Sequence, residues 1–462
     1  MTDANYANLS TLKGELKRAA IDAYMKSEGW FVPRDDFYGY EDGNVEGGGD
    51  GVTKPGKNGE GGGDWSSNKI REFFFNDGED QKYRTAFDNI RSRIDGYLKP
   101  WEDLPDPETF NDYVEDLRRA NVKLAVSFSA SGGVASGAGK IGTQLILIQV
   151  NSTAMSGGMI EAFKSKFLLA LGNAIAGHHG LTVILGQAMT AEQRLLKEAR
   201  QDVAQAVASA TKALDAYAHD SSAELAFAFK VAGAVVAGVS AFATGGATAA
   251  LAGAAAGLSL LEKVAEHSEK KAKEPKQKDY EGLMDGFKTA LDDLNAAITT
   301  EEGIIRDNLK DNLDNLQADD TSYNLTNPMQ SISDDSELHT VEEGRAIVHN
   351  RSLVYEITGT AMPTIADELV AAKDKVWAGW SATPYYRDPS IGLGETGPYP
   401  PWADLAAPLW RLIGDLEWEV RNGAKTLELA IEDMGRTDTD AKDALEKHAA
   451  SIDDYRNYEI PK

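Results

Sequence analysis

The chain of 462 residues contains no cysteine. This absence excludes disulfide bonds, thiolate metal sites and cysteine nucleophiles, and it is compatible with an oxidising or a reducing compartment. Basic residues are also in deficit, because 47 Lys and Arg stand against 73 Asp and Glu, for a formal net charge of −26. Such a charge repels phosphate and disfavours nucleic acid as a partner. The length is sufficient for two or three domains with a large core.

Several motifs of common enzyme classes are absent as well. The sequence has no HExxH zinc motif and no GxSxG nucleophile elbow. The Gly-rich stretch SGGVASGAGKIGT differs from a phosphate-binding loop, because Val134 replaces the first glycine and Ile141 replaces the metal-binding Ser or Thr. We therefore predict a non-enzymatic protein with no cofactor and no metal.

The histidines do not follow a metal-ligand pattern either. They are His178, His179, His219, His267, His339, His349 and His448. None of them pairs with a carboxylate at the spacing of metal ligands. We interpret them as solvated or capping residues.

Helical periodicity dominates the sequence. Apolar residues recur at three- and four-residue steps over about 6–27, 158–217, 279–316 and 337–375, and again from 401 or 402 onward. These segments are much longer than the average helix of about 11 residues, and part of the second has the seam of a coiled-coil-like bundle. We predict a mainly α fold, an elongated bundle of long antiparallel helices.

Two segments depart from the helical period. Residues 41–64 are rich in Gly, Asp and Lys, which predicts a flexible surface loop within an N-terminal helical region, 1–120. In residues 121–150 apolar side chains alternate from Val122 to Phe128, and the run IGTQLILIQV follows a Gly-rich turn, so we predict a β-hairpin there. The remaining chain is divided into a long-helix region, 151–320, and a C-terminal helical hairpin, 335–462.

Residues 231–261 form an apolar run of 31 residues without a charged side chain. In a soluble acidic chain such a run must be buried in a bundle, hidden in an oligomer or able to enter a membrane. As one helix it would be about 46 Å long, beyond the ~30 Å hydrocarbon core, but Gly245 and Gly246 divide it into two pieces of about 13 residues, each too short to span alone. The glycines assigned to membrane or oligomer contact are Gly233, Gly238, Gly245, Gly246, Gly253 and Gly257.

A short motif stands at the junction of the last two predicted long helices. Trp377-Ala378-Gly379 lies at this junction, and Tyr455-Arg-Asn-Tyr-Glu459 follows near the C-terminus. A W-x-G between antiparallel helices, followed by Y-x-x-x-D/E, resembles the WXG-type (ESX) substrates of type VII secretion, in particular the larger actinobacterial members with an Ala/Gly-rich central region. The chain departs from this family's short interhelical turn, because residues 380–400 separate the two helices.

The resemblance, over about 337–459, implies roles for these residues. Trp377 would fill the notch between the helices, Gly379 would permit the turn, and Tyr455 with Glu459 would form a pair that a secretion ATPase reads. It also implies export without a Sec signal, which the N-terminal residues 1–20 lack. The protein would then be secreted or attached to the cell envelope, although a cytoplasmic location stays open.

The resemblance leads us to expect action by self-assembly or membrane interaction. The expected partners are a second copy of the chain or another helical protein, the secretion ATPase and membrane lipid, but not nucleic acid. Two alternatives stay open. Long helical bundles with an apolar run look like the α-pore-forming toxins, and the acidic helical composition is equally typical of a structural or assembly protein of a phage-like particle.

Overall fold

The computed structural model describes residues 2–33, 37–40, 51–66, 79–126, 139–156, 158–219, 279–318, 323–325 and 350–433. The helices are α1 (Leu9–Ser27), α2 (Glu79–Leu98), α3 (Asn111–Leu124), α4 (Lys140–Thr153), α5 (Gly158–Ala162), α6 (Leu169–His219), α7 (Tyr280–Ala318), α8 (Arg351–Glu356), α9 (Met362–Ala378) and α10 (Tyr399–Asp433). The π-helical turns Phe163–Leu168 and Ile357–Ala361 join α5 to α6 and α8 to α9. Long helices packed on one another make the fold mainly α, as predicted.

Helix α6 is the central helix of this bundle. It has 51 residues, contacts α1, α3, α7 and α10, and is buried at every position from His178 to Glu192. Among the described residues, the stretch Met159–His219 is long and apolar enough to cross a membrane, but 72% of its most apolar part is buried in the fold. Burial on all sides is typical of a core helix, so this stretch by itself is weak evidence for a membrane span.

Two apolar clusters form the core, and both include α6 and α7. One joins Leu171–Leu196 of α6 to Ile304–Leu316 of α7 and also contains residues of α3, α4, α9 and α10. The other joins Leu195–Ala218 to Tyr280–Ile298 and contains α1, α2 and the sheet. Because the first part of α6 packs against the last part of α7, the two helices are antiparallel, and the C-terminus of α6 and the N-terminus of α7 lie at the same end of the molecule.

A small antiparallel sheet covers α1 near this end. Its strands β1 (Trp30–Phe31), β2 (Phe37–Tyr40), β3 (Gly51–Thr53) and β4 (Trp65–Ser66) pair in sequence order. Tyr38 pairs with Val52, and Val52 pairs with Trp65. The prediction of a flexible loop is therefore wrong for residues 51–64, and residues 41–50 lie outside the described ones.

Hydrogen bonds, rather than apolar burial, fix the Gly-rich part of this segment. The guanidinium of Arg91 on α2 donates to the carbonyls of Gly59 (2.8 Å) and Gly61, and the Gly63 amide donates to the Thr53 carbonyl (2.9 Å). Backbone groups thus find partners on α2 and within the segment itself, which the low apolar content of the sequence does not reveal.

The predicted β-hairpin at 121–150 is also wrong. Residues 121–124 end helix α3, residues 140–150 belong to helix α4, and residues 127–138 lie outside the described ones. The buried residues of α4 include Ile141, Leu145 and Ile148, at helical spacing. Val122, an apparent member of the alternating pattern, is 64% exposed. A short apolar run does not distinguish a strand from a buried helix, and packing against α9 decides the outcome here.

The close approach of the Gly-rich segment to β3 can be tested at Gly62. Gly61 and Gly62 both have positive φ, but an added Cβ would meet the Lys54 and Pro55 backbone only at Gly62 and open space at Gly61. We expect Gly61→Ala to lower the free energy of unfolding by about 1 kcal/mol and Gly62→Ala by about 2–4 kcal/mol. Urea unfolding measures both values, and equal losses would contradict this close packing.

Candidate functional site

A buried polar centre lies between the two apolar clusters. Arg387, in the connection between α9 and α10, donates from Nη1 to Glu192 of α6 (2.9 Å) and from Nη2 to Glu302 of α7. The three side chains have no exposed surface. Such a group of charges is stable inside a protein only when each is paired and hydrogen-bonded.

The connection itself is held tightly around Arg387. Its Leu393 amide donates to Glu302 (2.6 Å), and its Gly392 amide donates to Asn295 of α7 (2.7 Å). Gly392 has φ +59°, and an added Cβ would collide with the Glu302 carboxylate. Residues 380–398, which join α9 to α10, therefore supply the guanidinium that pairs with the buried carboxylates.

Two carboxylates share this one guanidinium, and this changes their protonation. Burial, followed by the charge of Glu192, raises the pKa of Glu302 to about 8. Burial also raises the pKa of Glu192, against the opposing effect of Arg387. One guanidinium cannot neutralise two buried carboxylates, so the pair holds a proton at neutral pH.

The structure describes the W-x-G residues of the predicted secretion motif. Trp377 lies in the last turn of α9 but is 61% exposed and contacts the rings of Trp380 (5.7 Å between centroids) and Trp410 (5.9 Å). It does not fill a notch between helices, so that expectation is wrong. Gly379 has φ −74°, which any residue can adopt, so the turn itself does not require glycine. A larger residue would not fit, because its Cβ would meet Leu117 and the Tyr113 carbonyl of α3. Its role is close helix packing.

The remaining predicted residues lie outside the described part of the chain. They are Tyr455, Glu459, Gly233, Gly238, Gly245, Gly246, Gly253 and Gly257. The helix ends on either side of the apolar run are described, however. They are the C-terminus of α6 at His219 and the N-terminus of α7 at Tyr280.

Helices α1 and α2 fix this end of the α6–α7 pair. Tyr280 is buried, and its ring contacts Tyr24 of α1 edge-on at 5.7 Å between centroids. Arg93 of α2 pairs with Glu281 and Asp285 in the first two turns of α7, at 2.7 Å each. Both ends of the connection 220–278 are therefore attached to the same rigid part of the fold.

A cleft of about 1120 Å³ lies between the N-terminal segment and α6. Its basic lining residues on α6 are Arg194, Lys197 and Arg200. Arg194 pairs with Glu198 (2.5 Å) and Arg200 pairs with Asp106 (2.9 Å), so opposite charges largely cancel in the cleft. The cleft therefore has no strong preference for an anion or a cation.

A lysine with a perturbed pKa lies under the sheet. Burial lowers the pKa of Lys54, although Asp22 opposes the shift. The Tyr38 hydroxyl donates to Asp22 at 2.6 Å, and the Lys54 ammonium donates to the Pro33 carbonyl. The first bond connects α1 to β2, and the second connects the residues that follow β3 to those that follow β1, which is a structural role. Among the described residues, no group of three or more His, Asp or Glu could hold a metal ion.

Comparison with known proteins adds no assignment. No protein-family description matches the chain, and neither the curated proteins nor the solved structures include a significant match.

The sequence carries a signal for the buried centre that its helical periodicity alone did not reveal. The apolar stripe of α7 passes from Ile298 to Ile305, and Glu302 lies on it at helical spacing. Glu192 likewise lies four residues before Leu196 on the α6 seam. Two acids on apolar stripes predict buried charge, but the cation that pairs with them comes from a distant loop and has no sequence pattern of its own.

Because Glu192 and Glu302 share a proton, the stability of the folded chain should depend on pH. Because the folded pKa of Glu302 is raised above the unfolded value, the folded chain binds the extra proton, and the free energy of unfolding should fall as pH rises from about 5 to 8. Glu192→Gln removes one buried charge and should reduce this fall by about 2 kcal/mol. Urea unfolding at several pH values measures it.

The matched control is Glu115→Gln. Glu115 is an exposed acid on α3 that pairs with Arg119. This variant should keep the pH dependence of the parent chain, since exposed ion pairs contribute little to stability. Equal pH profiles for Glu192→Gln and the parent chain would contradict the shared proton.

Proposed function

We propose that this is a non-enzymatic helical protein that leaves the cell through a type VII-like system and acts by self-assembly on a membrane. The apolar residues 231–261 would be its membrane-contacting segment. The lysine-bearing residues 263–278 would favour an anionic lipid surface.

The observation that carries this proposal is the attachment of the apolar run. Its connection leaves at His219 and returns at Tyr280, at one end of an antiparallel helix pair. A connection that starts and finishes at the same end must reverse direction, and Gly245 with Gly246 divides the uncharged run near its middle. Two apolar arms on a rigid helical base would suit insertion into one face of a bilayer.

The base has the rigidity that such a segment requires. The C-terminal part of α6 and the first part of α7 share an apolar cluster with α1 and α2. The ion pairs of Arg93 with Glu281 and Asp285 fix the first turns of α7. Insertion of the apolar arms would therefore leave the described bundle intact, and the energy gained from lipid contact would not be lost in unfolding the base.

A different observation supports the export part of the proposal. Helices α9 and α10 are antiparallel neighbours, because Asp367 pairs with Arg421 while Lys373 lies 4.1 Å from the Trp410 ring. The W-x-G residues end the first helix of this hairpin, as in the family that it resembles. Trp377 is exposed there, and an exposed tryptophan provides contact area for a partner.

The absence of cysteine allows a direct test of membrane contact. Ser259→Cys, labelled with an environment-sensitive dye, should shift its emission to the blue when anionic liposomes are added, because the dye would enter lipid. The same dye at Lys197→Cys, an exposed position on α6, should keep its spectrum. Fluorescence with and without a quencher in the lipid chains measures both.

Release of a trapped dye and light scattering distinguish the alternatives. Release with a larger assembly would favour the α-pore-forming toxin interpretation, and assembly without lipid contact would favour a structural protein of a phage-like particle. Identical spectra for the two labelled positions, with no release, would contradict membrane action and return the run to a core or oligomer contact.

Export can be tested with two tryptophans that differ in burial. Trp377→Ala should abolish export and lower the melting temperature by less than about 2 °C, since the side chain is mostly exposed. Trp402→Ala should destabilise the chain by about 3–5 kcal/mol, because this ring is 1% exposed and its Nε1 donates to the Leu185 carbonyl.

Tyr455→Ala should block export without changing the melting temperature. Normal export of both Trp377→Ala and Tyr455→Ala would refute the secretion proposal.

A further inference from the structure

Two adjacent histidines are buried in the most enclosed part of α6. His178 has no exposed surface and His179 is 4% exposed. The interpretation of these two residues as solvated or capping is therefore wrong. Adjacent residues on a helix point about 100° apart, so enclosure of both requires neighbours on two sides of α6.

His178 connects α6 to the chain that follows α7. Its Nε2 lies 2.9 Å from the Tyr323 carbonyl oxygen, and Leu325, two residues later, is 1% exposed. Because a carbonyl only accepts, Nε2 carries the proton of this bond. Nδ1 is then the unprotonated nitrogen, and it is buried without a hydrogen-bond partner among the described residues.

Protonation of this pair has no compensation from nearby charge. The neighbouring elements carry Arg118 on α3, Asp311 and Asp314 on α7, and Arg411 and Asp415 on α10. None of these side chains contributes to the pKa of either histidine. Burial lowers the pKa of both to about 4, and only the Tyr323 bond opposes it at His178. A proton on Nδ1 would create a buried cation without a partner, which is costly.

We propose that His178 and His179 form an acid-sensitive latch: the His178–Tyr323 bond holds Tyr323–Leu325 against α6 while both rings are neutral, and protonation of either buried ring releases this contact. The chemical signal is mild acidity, such as that of an acidified compartment or the surface of an anionic membrane. The latch does not depend on the proposed membrane function, because its opening can be observed in the protein alone.

The direction of the effect follows from proton linkage. An exposed histidine has a pKa of about 6.5, so between pH 6.5 and 4 the open form binds protons that the closed form does not. Acidification through this range therefore favours opening. At pH 5 the opening equilibrium should rise by about 30-fold for each histidine that becomes accessible. The Arg387 centre responds in the opposite direction, because its carboxylates bind protons in the folded chain.

Hydrogen exchange of the full chain at pH 7, 6 and 5, with times corrected for the intrinsic rate, tests the latch. Backbone amides of 171–185 should lose protection at pH 5, while those of 387–394 should not. The double variant His178→Gln/His179→Gln cannot take up the protons, and the new side-chain amide at position 178 can still donate to the Tyr323 carbonyl, so this variant should lose the pH effect. His219→Gln, at an exposed histidine, should keep it.

A second measurement covers the case in which the double variant fails to fold. Exchange of the imidazole C2 hydrogens in the parent chain, expressed relative to free histidine at the same pH because the intrinsic rate falls below about pH 6.5, should be slow for His178 and His179 at pH 7 and should approach the rate of free histidine with opening at pH 5. Protection of 171–185 that is independent of pH, or slow C2 exchange at both pH values, would overturn the latch. Dye release from liposomes is not needed for either result.

Discussion

The fold depends on one buried guanidinium. Arg387 must pair with carboxylates from α6 and α7 at the same time, so the two helices can take only the register that brings Glu192 and Glu302 to one point. Apolar stripes alone would tolerate a shift by a helical turn, whereas a shifted register would leave a buried charge without a partner, at a cost of several kcal/mol. The ion pairs therefore contribute mainly to the uniqueness of the α6–α7 packing.

The same centre divides the molecule into two parts with different roles. On one side, α3 and α10 cover the fully buried stretch of α6 with its histidines, and α4 and α9 belong to the same apolar cluster. On the other side, α1, α2 and the sheet hold the end from which the apolar connection leaves. Because α6 runs without interruption through both parts, a change at the histidines and a change at the apolar run act on one continuous helix.

The sequence predicted the long helices because their apolar periodicity continues over many turns, as in 279–316, observed as Tyr280–Ala318. Prediction from sequence failed where a local pattern was short, or where groups that are distant in sequence determine the local structure. The alternation at 122–128 overlaps the end of α3, and the Gly-rich residues 51–64 are fixed by Arg91 of α2. Burial of His178 and His179 depends on helices from both ends of the chain, so their neighbours in sequence carry no sign of it.

The enclosure of α6 also constrains how the chain can fold during synthesis. Residues 178–192 are covered by α3, which precedes them, and by α10, which ends more than 200 residues later. The apolar surface of the central helix therefore stays partly exposed until α10 has been made. Contacts of such long sequence separation slow folding and expose the growing chain to aggregation. Its high negative charge, −26 over the whole chain, opposes association of incomplete chains during this interval.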